Sequence, residues 1–483
     1  MSILPPGDLS DLETFEHPLA SRYASKAMLR LHSPLYRMRV WRRLWVALAE
    51  CQMEMGLPIT LDQISEMKST QDEVDLASIA AYESRMRHDV MAAIHAWGDQ
   101  APAARPIIHL GATSCFVTDN GDLLIAHQAL SLIRQRLKDV IAALSLFADK
   151  WKSQPTLGFT HFQPAQPTTV GKRAALWIQD LLLDLADLEH VIKTTPIRGI
   201  KGTTGTQASF LELFDGNDEK VDALEKLFCE RVGFPAINVS GQTATRKLED
   251  RIGQALCGIA ASASKFACDI RLLQHLKEIE EPFEARQVGS SAMPYKRNPM
   301  RSERINSLAR FVLGLMPSSY QTSATQWMER TLDDSAHRRL TVSQGFLAVD
   351  AILVLHKNVA SGLVIYPKMI EARLGQELPF MAAEALLMEA VKRGGDRQDL
   401  HEKFRLASLE AGKAIKEEGR PNPLIALLAS DPAWRMTEIE LNALLNARRF
   451  TGRAEDQVTA FIAGPVTQAL KGHSAGDGDE VRV

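Results

Sequence analysis

The chain has 483 residues, of which 45% are hydrophobic, 24% charged and 6% aromatic, an ordinary globular composition with ample apolar material for a core. Its 56 basic and 59 acidic residues leave a net charge of −3, so no overall field draws it to nucleic acid or to a membrane surface, and any attraction for an anion must be local. The cysteines (Cys51, Cys115, Cys229, Cys257 and Cys268) are odd in number and form no CxxC pair, which indicates neither a disulfide framework nor a zinc site and fits a reducing compartment.

The first twenty residues contain Pro5 and Pro6 and several acids. They lack a basic start followed by an apolar run, so no signal peptide is expected. No apolar stretch reaches about 18 residues without a charge, so no membrane span is expected and the cytoplasm is the expected location. Residues 1–110 read as short helices broken by Pro34, Gly56, Pro58 and Pro102. This part holds the polar run Arg87, His88, Asp89 and ends in IIHLGATSC at 107–115. Thr113 and Ser114 precede the first long helix. They either cap it or offer hydroxyls to an anion at its N-terminus.

The first long helix is predicted over 121–151. Leu123, Ala126, Leu130, Ile133, Leu137, Val140, Leu144 and Phe147 recur at spacings of three and four, an apolar stripe with no interior Gly or Pro. Asp122 then falls in the first turn, where it suits the helix dipole. A Pro-rich loop follows at 156–173, with His161 among Thr160, Gln163 and Gln166. A lone histidine is more often packed or simply exposed; polar neighbours at a helix entrance mark this one as a candidate titrating group.

A second stripe, Ala174, Ile178, Leu181, Leu185, Leu188 and Ile192, predicts a helix ending before Pro196. GIKGTTGTQAS at 199–209 has the glycines of a phosphate cradle but no GK[ST] ending and no preceding strand, and reads as a turn. Leu248, Ile252, Ala255, Ile259 and Phe266 mark a third helix. Residues 287–304, QVGSSAMPYKRNPMRSER, form a polar, cationic loop with Gly289, Pro294 and Pro299. Such a loop can close over an anion; on composition alone it reads equally as a solvated turn. Helices are expected through 301–332 and 335–362, and shorter ones after Pro367. The tail GHSAGDGDEVRV is expected to be disordered.

The fold class is therefore all-α: three helical domains (1–111, 112–364 and 365–483) around a central bundle of long helices. Stripes this rich leave apolar area exposed unless chains associate, so a homo-oligomer is expected. There is no HExxH, no GxSxG and no GxGxxG after a strand, which argues against a zinc peptidase, an α/β-hydrolase and a dinucleotide enzyme.

GSSAMPYKRNP at 289–299 resembles the signature loop of the fumarase/aspartase superfamily. Within that superfamily the chain is most similar to the adenylosuccinate lyase family. RYAS at 22–25, RHDV at 87–90, the segment around His161, KGTTGTQASF at 201–210, SGQT at 240–243 and ERTLDDSAHRR at 329–339 carry that likeness, from about residue 20 to about 465. Tyr295 stands where many bacterial members have His, which is similar to the animal and yeast branch.

The resemblance implies a β-elimination that releases fumarate from adenylosuccinate and from SAICAR, with no cofactor and no metal. It implies Ser290 as the base, Lys296 as its activator and as stabiliser of the aci-carboxylate, and His161 as the acid that protonates the leaving nitrogen. Glu303 would orient His161, and His88 would bind substrate and assist. Arg22, Tyr23, Arg87, Asp89, Thr113, Ser114, Gln242, Arg304, Arg330, Ser335 and Arg339 would line the site. Without the resemblance, Arg330 and Arg339 read as ordinary partners of Asp333, Asp334 or Glu329.

The expected partners are these small-molecule substrates and further copies of the chain in a homotetramer, with no nucleic acid and no membrane. The predicted 121–151 helix separates Thr113 and Ser114 from His161 by about 46 Å, so one substrate can meet both only if they come from different chains. A sister lyase acting on argininosuccinate, or a fumarase, would share Ser290 and His161 without needing phosphate-binding arginines. A non-catalytic structural homologue would not keep the Ser, His, Lys and Glu positions filled.

Overall fold

The structure, a computed structural model, describes residues 15–284, 287 and 292–474. The expected disorder of the tail falls mostly on residues outside that set. One π-helical turn, Leu19–Tyr23, precedes α1 (Lys26–Leu31), α2 (Pro34–Glu54), α3 (Leu61–Thr70), α4 (Leu76–Met86) and α5 (Asp89–Gln100). Next come α6 (Ser114–Lys150), a hairpin of β1 (Pro155–Thr160) and β2 (Gln163–Thr169), α7 (Val170–Thr194), α8 (Ala208–Leu213), α9 (Asp218–Val232) and α10 (Lys247–His275). The chain continues through β3 (Ile279–Glu280), α11 (Met300–Leu315), α12 (Ser318–Thr325), α13 (Asp334–Gly362) and β4 (Val364–Ile365). It ends in α14 (Pro367–Met381), α15 (Ala383–Lys392), α16 (Arg397–Lys416), α17 (Leu424–Ser430), α18 (Glu438–Leu444), α19 (Ala454–Phe461) and two further single turns.

The centre is a bundle of α6, α7, α10, α11 and α13. Asp122 pairs with Arg338 and Asp139 with Lys357, so α6 and α13 run in the same direction. Arg246, at the head of α10, pairs with Asp119 and Asp334, so α10 starts at the same end. Asn306 reaches Ser264, and Cys257 reaches the Val312 carbonyl, so α11 returns antiparallel to α10. The hairpin sends α7 back along α6. The predicted stripes are the buried faces: Leu130, Ile133, Leu137, Val140 and Leu144 of α6 are wholly inaccessible, as are Ile178, Leu188, Ile259 and Phe266 on α7 and α10. A second core joins residues of α2, α5 and the first turns of α6 to residues 197–248, and a third lies within residues 382–441.

Several expectations change. Pro34 does not break a helix; it occupies the first turn of the 21-residue α2, behind a Ser33 cap that accepts the Tyr36 N–H, where its missing N–H costs nothing. Helix α6 begins at Ser114, not at 121. Phe116 and Val117 enter the second core, and Gly121 is an interior position where a Cβ would lie 3.0 Å from the Trp41 ring. Asp122 is therefore not in a first turn, and its partner is Arg338. The 301–332 prediction splits at Pro317 into α11 and α12. The loop around His161 is a β-hairpin; Pro164 and Pro167 fit because each strand has one partner only, which leaves a side where no N–H is needed.

By length and composition α13 passes as a membrane span, but 61% of its apolar window is buried in the bundle. It carries His356, fully buried, stacked 4.2 Å from Phe266, with no hydrogen-bond partner for either ring nitrogen. Burial pushes its pKa down to about 3, and pushes His32, stacked on Phe346, down to about 4. The native rings stay neutral while unfolded histidine takes up a proton below about 6.5. Their contribution to stability is thus complete above pH 6.5 and is lost as pH falls toward the folded values. The urea midpoint should fall as pH drops from 6.5 to 4.5, and His356→Phe, which keeps the stacking, should show a shallower fall. Parallel curves for the two proteins would eliminate His356 as a source of the slope.

Candidate active site

Where α4 ends, Arg87 adopts a left-handed conformation (φ 54°) that turns the chain into α5. His88 then caps α5, its Nδ1 accepting the Met91 N–H at 3.3 Å. That bond puts the proton of the neutral ring on Nε2, which lies 3.3 Å from Ser114 Oγ. Asp89 lies beside the ring, 3.7 Å from Nδ1, and its other oxygen accepts from Arg339 at 3.0 Å. Thr113 occupies the cap position of α6 but makes no capping bond; its hydroxyl accepts from Gln242 Nε2 at 3.2 Å. The capping alternative therefore fails for Thr113. Arg330 donates to Cys115 Sγ at 3.0 Å, and Ser335 lies half-buried in the first turn of α13.

His88, Asp89, Thr113, Ser114, Gln242, Arg330, Ser335 and Arg339 thus gather where α6 and α13 begin. Neither arginine makes the ion pair with Asp333, Asp334 or Glu329 that composition alone would favour. Two guanidiniums, an amide and two hydroxyls at helix N-termini form a local cationic, donor-rich surface on a chain with almost no net charge. It suits a ligand with several negative groups.

Behind this surface lies a buried charge network. Asp119, 1% exposed, accepts from the Ala244 N–H at 2.7 Å and from Arg246 at 3.1 Å. Burial alone would raise the Asp119 carboxyl; Arg246, Arg338 and the Ala244 N–H outweigh it and hold the group below the ordinary carboxylate value. Arg198, wholly buried, donates to the carbonyls of Gly202 and Gly241. His109, at φ 72°, accepts from Trp45 Nε1 at 2.9 Å. Burial and then the His88 charge push it down to about 4, so it is neutral near pH 7. Sequence reading missed Cys115, Asp119, Arg198, Arg246, His109 and Trp45. Arg198 and Arg246 lie beside segments carrying the family resemblance, whereas Trp45 lies in none.

The remaining site residues lie elsewhere. The Arg304 guanidinium sits over the Tyr23 ring, 5.5 Å from its centroid, with Arg22 exposed beside Tyr23. Ser25, next along, is bonded through N–H and hydroxyl to Asp350, a buried partner of Arg136. Asp350 is eleven residues past Arg339 on α13, about 16 Å along the helix. Glu303 is exposed in the first turn of α11, and Lys296 is exposed in the loop before it. That loop is pinned by the Arg297 ion pair with Glu280 and by Gln274 donating to the Arg297 carbonyl. Ser290 lies outside the described residues.

His161 is exposed at the tip of the hairpin, past the far end of α6. His161 and Phe162 have φ of 54° and 56°, and Thr160 pairs with Gln163; this is a two-residue turn with both central residues left-handed. Among the described residues, no hydrogen bond or ion pair joins His161 to Glu303 or to the cluster at the head of α6. Two cavities, walled by Ser145, Ile462 and Leu470 and by Arg136, Pro282 and Asn358, touch none of these groups.

Comparison with known proteins follows this geometry. Residues 48–314 match the lyase family profile, and residues 379–461 match the profile described as adenylosuccinate lyase C-terminus. Adenylosuccinate lyase of Saccharomyces cerevisiae is 48% identical over 467 residues, covering 96% of this chain and 97% of the relative. That of Schistosoma mansoni is 45% identical over 96% of this chain and 97% of its own, whereas that of Pyrococcus abyssi is 28% identical over 92% and 97%. Among solved structures, 3-carboxy-cis,cis-muconate lactonizing enzyme of Pseudomonas putida superposes with a TM-score of 0.80 at 22% identity, covering 94% of this chain and 99% of that one. Fumarate lyase of Mesorhizobium sp. BNC1 gives 0.77 at 22% identity, over 92% and 99%. At such identities the two structures establish the shared fold.

The cluster depends on backbone segments in direct contact. A Cβ on Gly205 (φ +84°) would lie 1.7 Å from the Ser240 carbonyl oxygen, and one on Gly241 would lie 2.6 Å from that of Glu329. Gly205→Ala should therefore displace residues 240–243, and Gln242 with them. We expect a stability loss of roughly 2 kcal/mol or more in urea denaturation, from left-handed strain plus the clash. Wild-type stability in this variant would contradict the close approach of the two loops.

Proposed function

The chain belongs to the adenylosuccinate lyase family, and from that membership we infer that it releases fumarate from adenylosuccinate, giving AMP, and from SAICAR, giving AICAR. Both are β-eliminations: a proton leaves the carbon next to a carboxylate, the neighbouring C–N bond breaks, and the departing nitrogen is protonated. The convergence of His88, Thr113, Ser114, Gln242, Arg330 and Arg339 on one end of the bundle is the structural observation that best supports this reading. Both substrates carry a phosphate and two carboxylates, which call for a concentration of cations and neutral donors.

In the proposed mechanism Ser290 removes the proton. A neutral serine is a poor base, so Lys296, exposed in the same loop, lowers its pKa when the loop and substrate meet, and then stabilises the aci-carboxylate. His161 protonates the leaving nitrogen, and Glu303 orients it. His88 donates from Nε2, the tautomer its α5 cap imposes. Arg22, Tyr23, Arg87, Asp89, Arg304 and Ser335 complete the binding surface. Base, acid and charge stabiliser are all side chains, so the proposal assigns no cofactor.

The proposed active unit is a homotetramer with shared sites. Helix α6 has 37 residues, or about 55 Å at ~1.5 Å per residue, and no purine nucleotide spans that length. Thr113 and Ser114 of one chain must then meet His161 of another. Apolar side chains left on the bundle surface support association: Leu176 and Leu183 on α7, Phe311 and Leu313 on α11, and Trp327 and Leu340 flanking the head of α13. The proposal keeps the division into domains 1–111, 112–364 and 365–483, and a cytoplasmic location, which five free thiols suit.

Absorbance assays with adenylosuccinate, SAICAR, argininosuccinate and malate test the activity; turnover confined to either of the last two would overturn it. Ser290→Ala and His161→Ala should each lose at least about 99% of activity, as general acid–base groups usually contribute a hundredfold or more. Dissociated and reassembled together in equal amounts, the two inactive proteins should recover roughly a quarter of wild-type activity, because each site draws its serine and its histidine independently. Mixed tetramers that stay inactive would put both residues on one chain.

A further inference from the structure

We propose that Arg246 is a positioning residue that holds the three anion-binding segments in register; this rests on the reading of the α6–α13 cluster as the substrate surface. Arg246 precedes α10 and is 3% exposed. Its Nε donates to Asp334 Oδ2 at 2.7 Å, with Nη2 at the same distance. On its other side Nη1 donates to Asp119 Oδ2 at 3.1 Å, with Glu249 at 3.7 Å.

Each carboxylate belongs to a different arm of the cluster. Asp119 lies one turn along α6 from Cys115, and so holds Thr113 and Ser114. The same Asp119 oxygen accepts the Ala244 N–H, two residues after Gln242. Asp334 opens α13, immediately before Ser335 and between Arg330 and Arg339. Beside this guanidinium, the arms meet through Gln242 to Thr113, Arg330 to Cys115, the Ala244 N–H to Asp119, the Gln242 N–H to the Glu329 carbonyl at 3.0 Å, and the pairs of Arg338 with Asp122 and Glu249.

One planar fork with donors on two edges can hold two carboxylates at once, whereas a lysine ammonium is a single point charge. Asp119 and Asp334 are both almost wholly buried. Without the guanidinium they would repel each other in a medium that screens poorly. Relief comes from moving α13 away from α6, and that motion separates Arg330 and Arg339 from Thr113 and Gln242. Arg338 also ties α13 to α6 and α10, but its ion pairs are with Asp122 and Glu249, so it does not bridge the buried Asp119 and Asp334.

The experiment compares KM and kcat for adenylosuccinate in the intact enzyme with those of Arg246→Lys, Asp334→Asn and Arg330→Ala, each with a melting curve. Arg246→Lys keeps the charge and loses the fork; Asp334→Asn loosens the 330–339 arm alone. The proposal expects KM to rise about tenfold or more in both, with kcat within about threefold. Lower melting temperatures with unchanged KM in both would make the role purely structural and overturn it. If Arg246→Lys fails to fold, Asp334→Asn decides; if neither folds, Arg246 is a folding determinant and the positioning role is wrong. Arg330→Ala separates the premises: unchanged kinetics there would overturn the reading of the cluster and this proposal with it. A raised KM there, with wild-type KM in the other two, would overturn the role of Arg246 alone.

Discussion

Helix α6 is a rigid spacer, and its 37 residues decide what a single chain can and cannot bring together. Its first residues, Ser114 and Cys115, stand beside His88 and Arg330, while its last residue leads to the hairpin with His161 at the tip. Side-chain motion cannot cross a gap of about 55 Å. The same spacer sets the directions of its neighbours. Because α10 and α13 run with it, three long helices begin at one end of the bundle. Their unpaired N–H groups and dipoles reinforce the positive field that Arg330 and Arg339 supply there. An antiparallel α13 would have placed its carbonyl end, and the opposite field, at that point.

Three converging helix starts also create a difficulty, which the buried charges resolve. The loops entering α10 and α13 meet the head of α6, where buried side chains satisfy part of their backbone. Asp119 accepts the Ala244 N–H, and Arg198 donates to two carbonyls of the neighbouring loops. Desolvation makes each of these ions costly alone, and removal of one partner leaves the other uncompensated. Interleaving offsets part of that cost: Asp119, Asp122, Glu249 and Asp334 alternate with Arg246 and Arg338. Attraction exceeds burial at Asp119, which is held down, whereas burial still raises Asp122 and Glu249. Asp184 is the contrast. It lies in the apolar middle of the bundle with Asp180 and Asp187 as like-charged neighbours, and burial drives it up to about 6.

The long helices were legible because a buried helix face needs apolar residues at spacings of three and four, and Leu130 to Leu144 meet that need without interruption. The start of α6 was not. Gly121 signals a boundary in sequence, whereas its function is to admit Trp41 from α2, a residue 80 positions earlier. Pro34 misled in the same way, since a proline that begins a helix and one that ends it look alike until the neighbouring cap is seen. The hairpin was hidden because strand alternation is not needed in a ribbon that hardly enters the core. Of the site, His88, Thr113, Gln242, Arg330 and Arg339 were named through the family resemblance, and the structure brings them together. Arg246 and Asp119 stayed invisible. Arg246 bonds Asp119 and Asp334, 127 and 88 residues distant, and nothing in local sequence reports a long-range buried ion pair.

In the proposed arrangement the hairpin carries His161 to a site that its own chain does not complete. His161 occupies a turn in which two consecutive non-glycine residues take left-handed angles, a conformation costing of order 1–2 kcal/mol per residue. Histidine tolerates that angle better than most residues. The turn leaves His161 exposed at the tip of the ribbon. The base of the ribbon is held firmly: the Val170 N–H donates to the Gln154 carbonyl, and Arg173 donates to that of Leu157. A histidine on a short two-stranded arm, beyond its own helices and with no ion pair to a carboxylate among the described residues, is arranged to reach outward. In the proposed tetramer the surface it reaches is the cationic end of a neighbouring bundle, where α6, α10 and α13 begin.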